Sequence, residues 1–241
     1  MAIRQRAIQA EDKQERHNAI LDAAEHLLLR EPDRVASVAE VADEAGLAKG
    51  TVYLYFPSKE ELLLALHERN LEAFFAAFDA MVRRAPRVTL DDLLAVTFDH
   101  IVGRPLFLPL AARCFALMAH SIPADVADAY RQRMTTRLEN AGAGVERLFP
   151  GLVPGEGVAK LRHSFALMIG LWQMSAASAC PAKAVPVSSA ARDGVVVVPV
   201  FGWSYPEELA RALRSLWEPV VATSQRTQAR TGARNGTHDV S

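Results

Sequence analysis

The stretch from Ser37 to Leu63, SVAEVADEAGLAKGTVYLYFPSKEELL, constrains the fold more than any other part of the chain. Ser37 precedes an apolar-periodic run and Glu40 stands three places on, the pattern of an N-terminal capping box. Gly46 ends that helix, because glycine takes the left-handed conformation at little steric cost. A second short helix is predicted over about 49–56, and Pro57 stops it. Ser58, with Glu61 three on, opens a third helix that the pattern carries to about Arg84. Two short helices joined by a tight glycine turn make a helix-turn-helix. Ala42 is small where the pair would cross, and Val41, Ala45, Leu47 and Val52 are apolar where it would pack on itself and on a preceding helix.

The flanking sequence extends this pattern in both directions. Residues 1–10 read as a flexible arm, followed by a helix to about Arg30 with Ile20, Ala23, Ala24, Leu27 and Leu28 at helical spacing. After RRAPRVT the periodicity predicts helices over about 89–102, 105–120, 123–148 and 156–179, with Gly142 and Gly144 as possible interruptions of the third. Residues 180–203, rich in Pro, Ala and Ser with a run of valines, read as a long loop. A last helix, capped by Ser204 with Glu207 three on, reaches about 222, and 223–241 reads as a disordered tail. The expected fold is all-α. It divides into an arm (1–10), a three-helix helix-turn-helix domain (11–66), a helical C-terminal domain (67–222) and the tail.

The residues left facing outward on the second short helix are Ala48, Lys49, Gly50, Thr51, Tyr53 and Leu54. In such modules this helix enters the major groove of DNA. Lys49 suits guanine acceptors, and Thr51 suits a base edge or a thymine methyl. Gly50 permits close approach of backbone, and Tyr53, Tyr55 and Lys59 suit phosphates. Ser37 combines a cap with a possible phosphate contact. Tyr55 also fits a core position, and Phe56 fits the core better than the surface. Residues 1–60 carry eight Lys or Arg against eleven Asp or Glu, so any DNA binding rests on a local patch rather than a broad cationic field.

The segment ILDAAEHLLL…SVAEVADEAGLAKGTVYLYFPSKEELLLAL, within about residues 14–66, resembles the N-terminal domain of the TetR family of bacterial transcriptional regulators. The resemblance rests on Val41-Ala42, Ala45-Gly46, Gly50-Thr51-Val52-Tyr53, Tyr55-Phe56 and Lys59-Glu60-Glu61-Leu62. The chain departs from the family pattern after the first helix, where EPDRVAS has Pro32 and Val35 in place of a glycine and an aromatic residue. The resemblance implies a homodimer on a double-stranded DNA operator. It also implies a C-terminal helical domain for ligand binding and dimerisation, whose last two long helices form a four-helix bundle with the partner. The expected function is a repressor released by a small apolar or aromatic ligand. The alternative is a DNA-binding dimer with no ligand.

Catalytic signatures are missing from the sequence. The seven histidines form no ligand-spaced cluster, Ser188-Ser189 lack a nucleophile elbow, and no phosphate-binding glycine motif is present. No enzyme, metal or cofactor is expected. Cys114 and Cys180, the only cysteines, fit a reducing cytoplasm, and no run has the length of a membrane span. The apolar runs LFLPLAARCFALMAH and LRHSFALMIGLWQM suit core, dimer packing or an apolar pocket. Candidate pocket residues are Arg113, Cys114, Phe115, Met118, His120, His163, Met168, Trp172 and Gln173.

Overall fold

A computed structural model describes residues 2–32, 34–84, 88–178 and 203–235. Among them every regular element is helical. In chain order they are α1 (Ala2–Arg30), α2 (Val38–Glu44), α3 (Lys49–Tyr55), α4 (Lys59–Arg84) and α5 (Leu90–Thr97), which runs into a π-helical turn (Phe98–Val102). Then come α6 (Phe107–His120), α7 (Ala124–Leu148), α8 (Glu156–Ser178) and α9 (Tyr205–Asn235). Helix α1 begins at Ala2, so the segment read as an arm is helical, and α9 runs on to Asn235 through much of the segment read as a tail. Most of the 180–203 loop, with Cys180 and Ser188-Ser189, lies outside the described residues. No single described helix is long and apolar enough to cross a membrane.

The chain divides into two compact units, one of residues 1–76 with 99–134 and one of 77–98 with 135–241. The first unit holds more than a helix-turn-helix cut at residue 66. Ile20, Leu21, Ala24 and Leu28 line one face of α1 at spacings of one and two turns. They meet Val38, Val41 and Ala42 of α2, Val52 of α3, and Leu62, Leu63 and Leu66 of α4. Leu106 and Leu110 complete the same cluster, which places α6 with the helix-turn-helix. Ionic contacts tie the helices at their edges. Arg69 of α4 reaches Asp22 and Glu25 of α1, both at 2.5 Å. Arg133 of α7 holds Glu68 of α4 with two bonds of 2.6 and 2.7 Å. His67 is buried, edge-on to Phe107 at 5.6 Å, and its Nδ1 has no partner. Burial pushes its imidazole down to about 4, so the ring is neutral at pH 7.

In the second unit α8 and α9 lie side by side. Leu209, Leu213, Trp217, Val220 and Ser224 form the buried stripe of α9. Trp217 Nε1 donates to Ser164 Oγ at 2.9 Å, which satisfies the indole where it is buried. Gly142 and Gly144 do not interrupt α7, which is continuous. They serve packing instead: a Cβ on Gly157 would sit 2.2 Å from the Gly142 carbonyl oxygen, so α7 and α8 meet backbone to backbone there. Glu146 accepts from the N–H groups of Gly155 and Gly157 at 2.7 and 3.0 Å, satisfying donors at the start of α8. Thr89 and Asp92 form a full capping box on α5.

Candidate nucleic-acid interface

The turn between α2 and α3 is closed by hydrogen bonds that follow from its sequence. Ser37 Oγ accepts from Glu40 N–H at 3.3 Å, and Ser37 N–H donates to the Glu40 carboxylate at 2.8 Å. Arg34 spans Glu31 and Glu40 at 2.5 and 2.8 Å. The Arg34 guanidinium and the Ser37 cap hold the Glu40 carboxyl at about 2. At the other end of α2, Gly46 has φ +66°. The Gly46 N–H donates to Asp43 O at 3.2 Å and the Leu47 N–H to Ala42 O at 2.9 Å, the paired bonds of a Schellman motif. Only a residue tolerant of positive φ closes this turn without strain, so Gly46 sets the angle at which α3 leaves α2.

Helix α3 is pinned by one side. Val52 is wholly buried, Phe56 follows it into the core, and Leu47 packs beside them. Ala48, Lys49, Gly50, Tyr53 and Leu54 are exposed, as the sequence places them, and Thr51 is half-buried. Lys49 Nζ lies 5.9 Å from the Tyr53 ring centroid, a cation–π contact one helical turn apart. Tyr55 does not share this open side: it is half-buried against the core cluster, its ring 6.4 Å from His17 of α1. The alternative core reading fits Tyr55 better than an outward one, because three residues from Val52 a side chain returns to the packed face. Lys59 is exposed at the start of α4, with Glu60 at 3.9 Å. Ser37 is exposed at the start of α2, where its hydroxyl oxygen caps the Glu40 N–H.

Net charge over residues 1–60 does not describe the surface of α3 itself. Helix α3 contains no acid. Asp22 and Glu25 are held by Arg69, Glu31 and Glu40 by Arg34, and Glu44 by His26 and Arg30 at 2.6 and 3.5 Å. The open face of α3 therefore presents one cation, a phenol, a hydroxyl and exposed backbone, a set suited to phosphates and base edges.

The candidate pocket residues are divided between the two units, 113–120 in the first and 163–173 in the second. Arg113 donates to the Pro32 carbonyl at 2.8 Å. Cys114 is buried within the first unit, its Sγ 3.8 Å from Leu63 O, and burial pushes its thiol up to about 12. Phe115 and His120 are exposed and Met118 is half-buried. In the second unit Met168 is buried, with Tyr205 donating to its carbonyl at 3.2 Å. Trp172 is half-buried, while His163 and Gln173 are exposed. Among the described residues no group of three His, Cys, Asp or Glu could hold a metal ion.

The fold and this face define a helix-turn-helix DNA-binding protein. Residues 20–66 match the model for bacterial regulatory proteins of the tetR family, and residues 68–193, more than half of the chain, match the tetracyclin repressor-like C-terminal domain. The chain belongs to the TetR family of transcriptional regulators, which are not enzymes. Similar proteins include the fatty acid metabolism regulator protein of Bacillus subtilis, 28% identical over 87 residues, which are 36% of this chain and 44% of that protein. The transcriptional regulator EthR of Mycolicibacterium smegmatis is 38% identical over 72 residues, 30% of this chain and 33% of EthR. The matches thus span less than half the length of either relative. SmeT, the repressor of the Stenotrophomonas maltophilia multidrug efflux pump SmeDEF, has a similar fold. The TM-score is 0.50 at 20% identity, over 84% of this chain and 89% of SmeT.

Proposed function

We propose that this regulator is a homodimeric repressor that binds a double-stranded operator and is released by a small apolar or aromatic ligand. The observation that carries the DNA-binding part is the acid-free open face of α3, aimed by the Gly46 turn. Lys49 and Thr51 read base edges, while Tyr53, Lys59, Ser37 and the backbone at Ala48 and Gly50 hold the phosphates. Action on chromosomal DNA places the protein in the cytoplasm.

Helix α8 supports the dimer. Leu161, Phe165, Ile169, Leu171 and Trp172 are each half-exposed, and of its described side chains only Ser164 and Met168 are buried. Half-exposed apolar side chains bordering a buried stripe suit a second surface. Leu216 of α9 is half-exposed and suits the same interface. Leu213 of α9, by contrast, is buried within its own protomer and belongs to the core. The Phe, Met and Trp content of α6 and α8 supports an apolar effector, and the name of the Bacillus relative is compatible with one. Helix α4 is unbroken from Lys59 to Arg84 and carries residues of both units, which suits it to couple ligand to DNA.

Genomic footprinting identifies the operator, and a thermal-shift screen finds the ligand. The ligand is then titrated with and without operator. Linkage requires DNA to weaken the ligand by the factor with which the ligand weakens DNA. Equal ligand affinity in both titrations sinks the inducer model for that molecule, and a screen without hits favours a regulator that works without a ligand.

A further inference from the structure

Leu54 is the most exposed of the described large apolar side chains, at 85%. It stands two residues after Val52, the buried anchor of α3. At about 100° per residue, that spacing sets Leu54 nearly opposite the core. Gly50 lies one turn earlier on the same side, with nothing within 4 Å of where a Cβ would be. Lys49 and Tyr53 flank the two and engage each other. The outermost line of α3 is therefore a gap followed by an isobutyl group, with no side-chain hydrogen-bonding atom on its crest. Such a crest cannot read a donor or an acceptor. The apolar feature that a base pair presents in the major groove is the 5-methyl group of thymine.

We propose that Leu54 is a specificity-determining residue that packs against a thymine methyl. The proposal rests on the reading of α3 as the groove helix. Gly50 lets that helix settle close to the base edges, and Leu54 then meets the methyl at the groove floor. Its Cα is about 7.5 Å along the axis from that of Lys49, so the thymine falls within about two base pairs of the base that Lys49 reads.

The test begins with the full chain selecting an operator from a random duplex library. Each thymine of that operator is then replaced singly by deoxyuridine, which removes the methyl group and nothing else. One replacement per half-site should weaken the wild type by about fourfold, the effect of one methyl-sized apolar contact. The same replacement should leave Leu54→Ala unaffected, at an unchanged melting temperature because the side chain is exposed. Lys49→Ala should keep the deoxyuridine sensitivity. A wild type indifferent to every replacement overturns the proposal. So does a Leu54→Ala variant as sensitive as the wild type, which would pass the methyl contact to Thr51. Both outcomes leave α3 as the reading helix. Failure to enrich any duplex overturns the reading of α3 itself, and the proposal with it.

Discussion

The two compact units are held together by different means. In the first, polar devices join the helices at their ends and edges: the Ser37–Glu40 box, the Gly46 turn, Arg69 with its two acids, Arg133 with Glu68. In the second, long helices lie against one another through backbone contact at Gly142 and Gly157 and through an apolar stripe on α9. Apolar burial is non-directional, so it tolerates a repacked core, whereas a reading helix must be aimed. Hydrogen-bonded caps and turns specify direction, and the first unit is where direction matters. The surfaces differ likewise. The first unit leaves α3 uncovered with Lys49, Thr51 and Tyr53 beside an exposed Leu54, a mixed face suited to a duplex groove. The second leaves half-exposed apolar side chains on α8, suited to a copy of itself.

Breaking the apolar surface should have the largest effect. Leu171→Glu puts a charge into the expected interface while leaving the protomer core alone, since Leu171 is half-exposed. Light scattering should show a monomer at micromolar concentration. Operator affinity should fall by about 100-fold or more, because the second half-site no longer binds intramolecularly. A wild type that is already monomeric would sink the dimer. Breaking the inside of the same unit comes next. Gly157→Ala drives a methyl against the Gly142 carbonyl, which is backbone and cannot swing aside. A loss of about 3 kcal/mol is expected in urea unfolding, at the upper end for overpacking. No loss would mean that the helices do not touch as described.

Legibility in the sequence follows the same division. The helix-turn-helix was readable almost to the residue because its signals are local: a serine with a glutamate three on, a glycine at a turn, a proline after a helix. Tyr55 carries two readings in the sequence, phosphate contact or core, because residue type alone does not say which side a tyrosine presents at a helix end; its half-buried place against the core cluster fits the second better. The same limit holds in α9, where the pattern marks an apolar stripe but not which neighbour covers Leu213. The role of Gly142 was hidden because its partner is fifteen residues away on another helix. The ion pairs that Arg69 makes with Asp22 and Glu25 are also out of reach, since the partners are distant in sequence.

The open face of α3 can be separated into its parts. Lys49→Ala should cost about 1–3 kcal/mol against the preferred operator and relax the preference at one base position. Tyr53→Ala should weaken all duplexes alike, by about 1 kcal/mol, because phosphate contacts carry no direct sequence information. Binding of a randomised library distinguishes them. An equal loss on every sequence in the Lys49 variant would remove its base-reading role and leave it a phosphate contact.

The smallest expected effect concerns the inside of the first unit, where a polar group lacks the partner that such groups normally have. His67 is buried beside Phe107 with Nδ1 unpaired, and burial pushes its pKa from 6.5 down to about 4. The unfolded chain therefore takes up a proton at this site at a higher pH than the folded one. Between the two values the unfolded state binds more protons, so stability rises with pH and falls on acidification. The stabilisation is fully present above about pH 6.5 and is lost progressively toward pH 4. At pH 5.5 the loss should be about 1 kcal/mol relative to pH 7.5. Other groups titrate on the way, so the comparison is with His67→Phe, which keeps an aromatic edge against Phe107 and cannot take up the proton. Urea midpoints from pH 7.5 to 5 should fall more steeply in the wild type than in the variant. Parallel slopes would show that His67 is hydrated or finds a partner in solution. A wild type that gains stability relative to the variant on acidification would reverse the sign and place an acid beside the ring. Either result would weaken the contrast between the units.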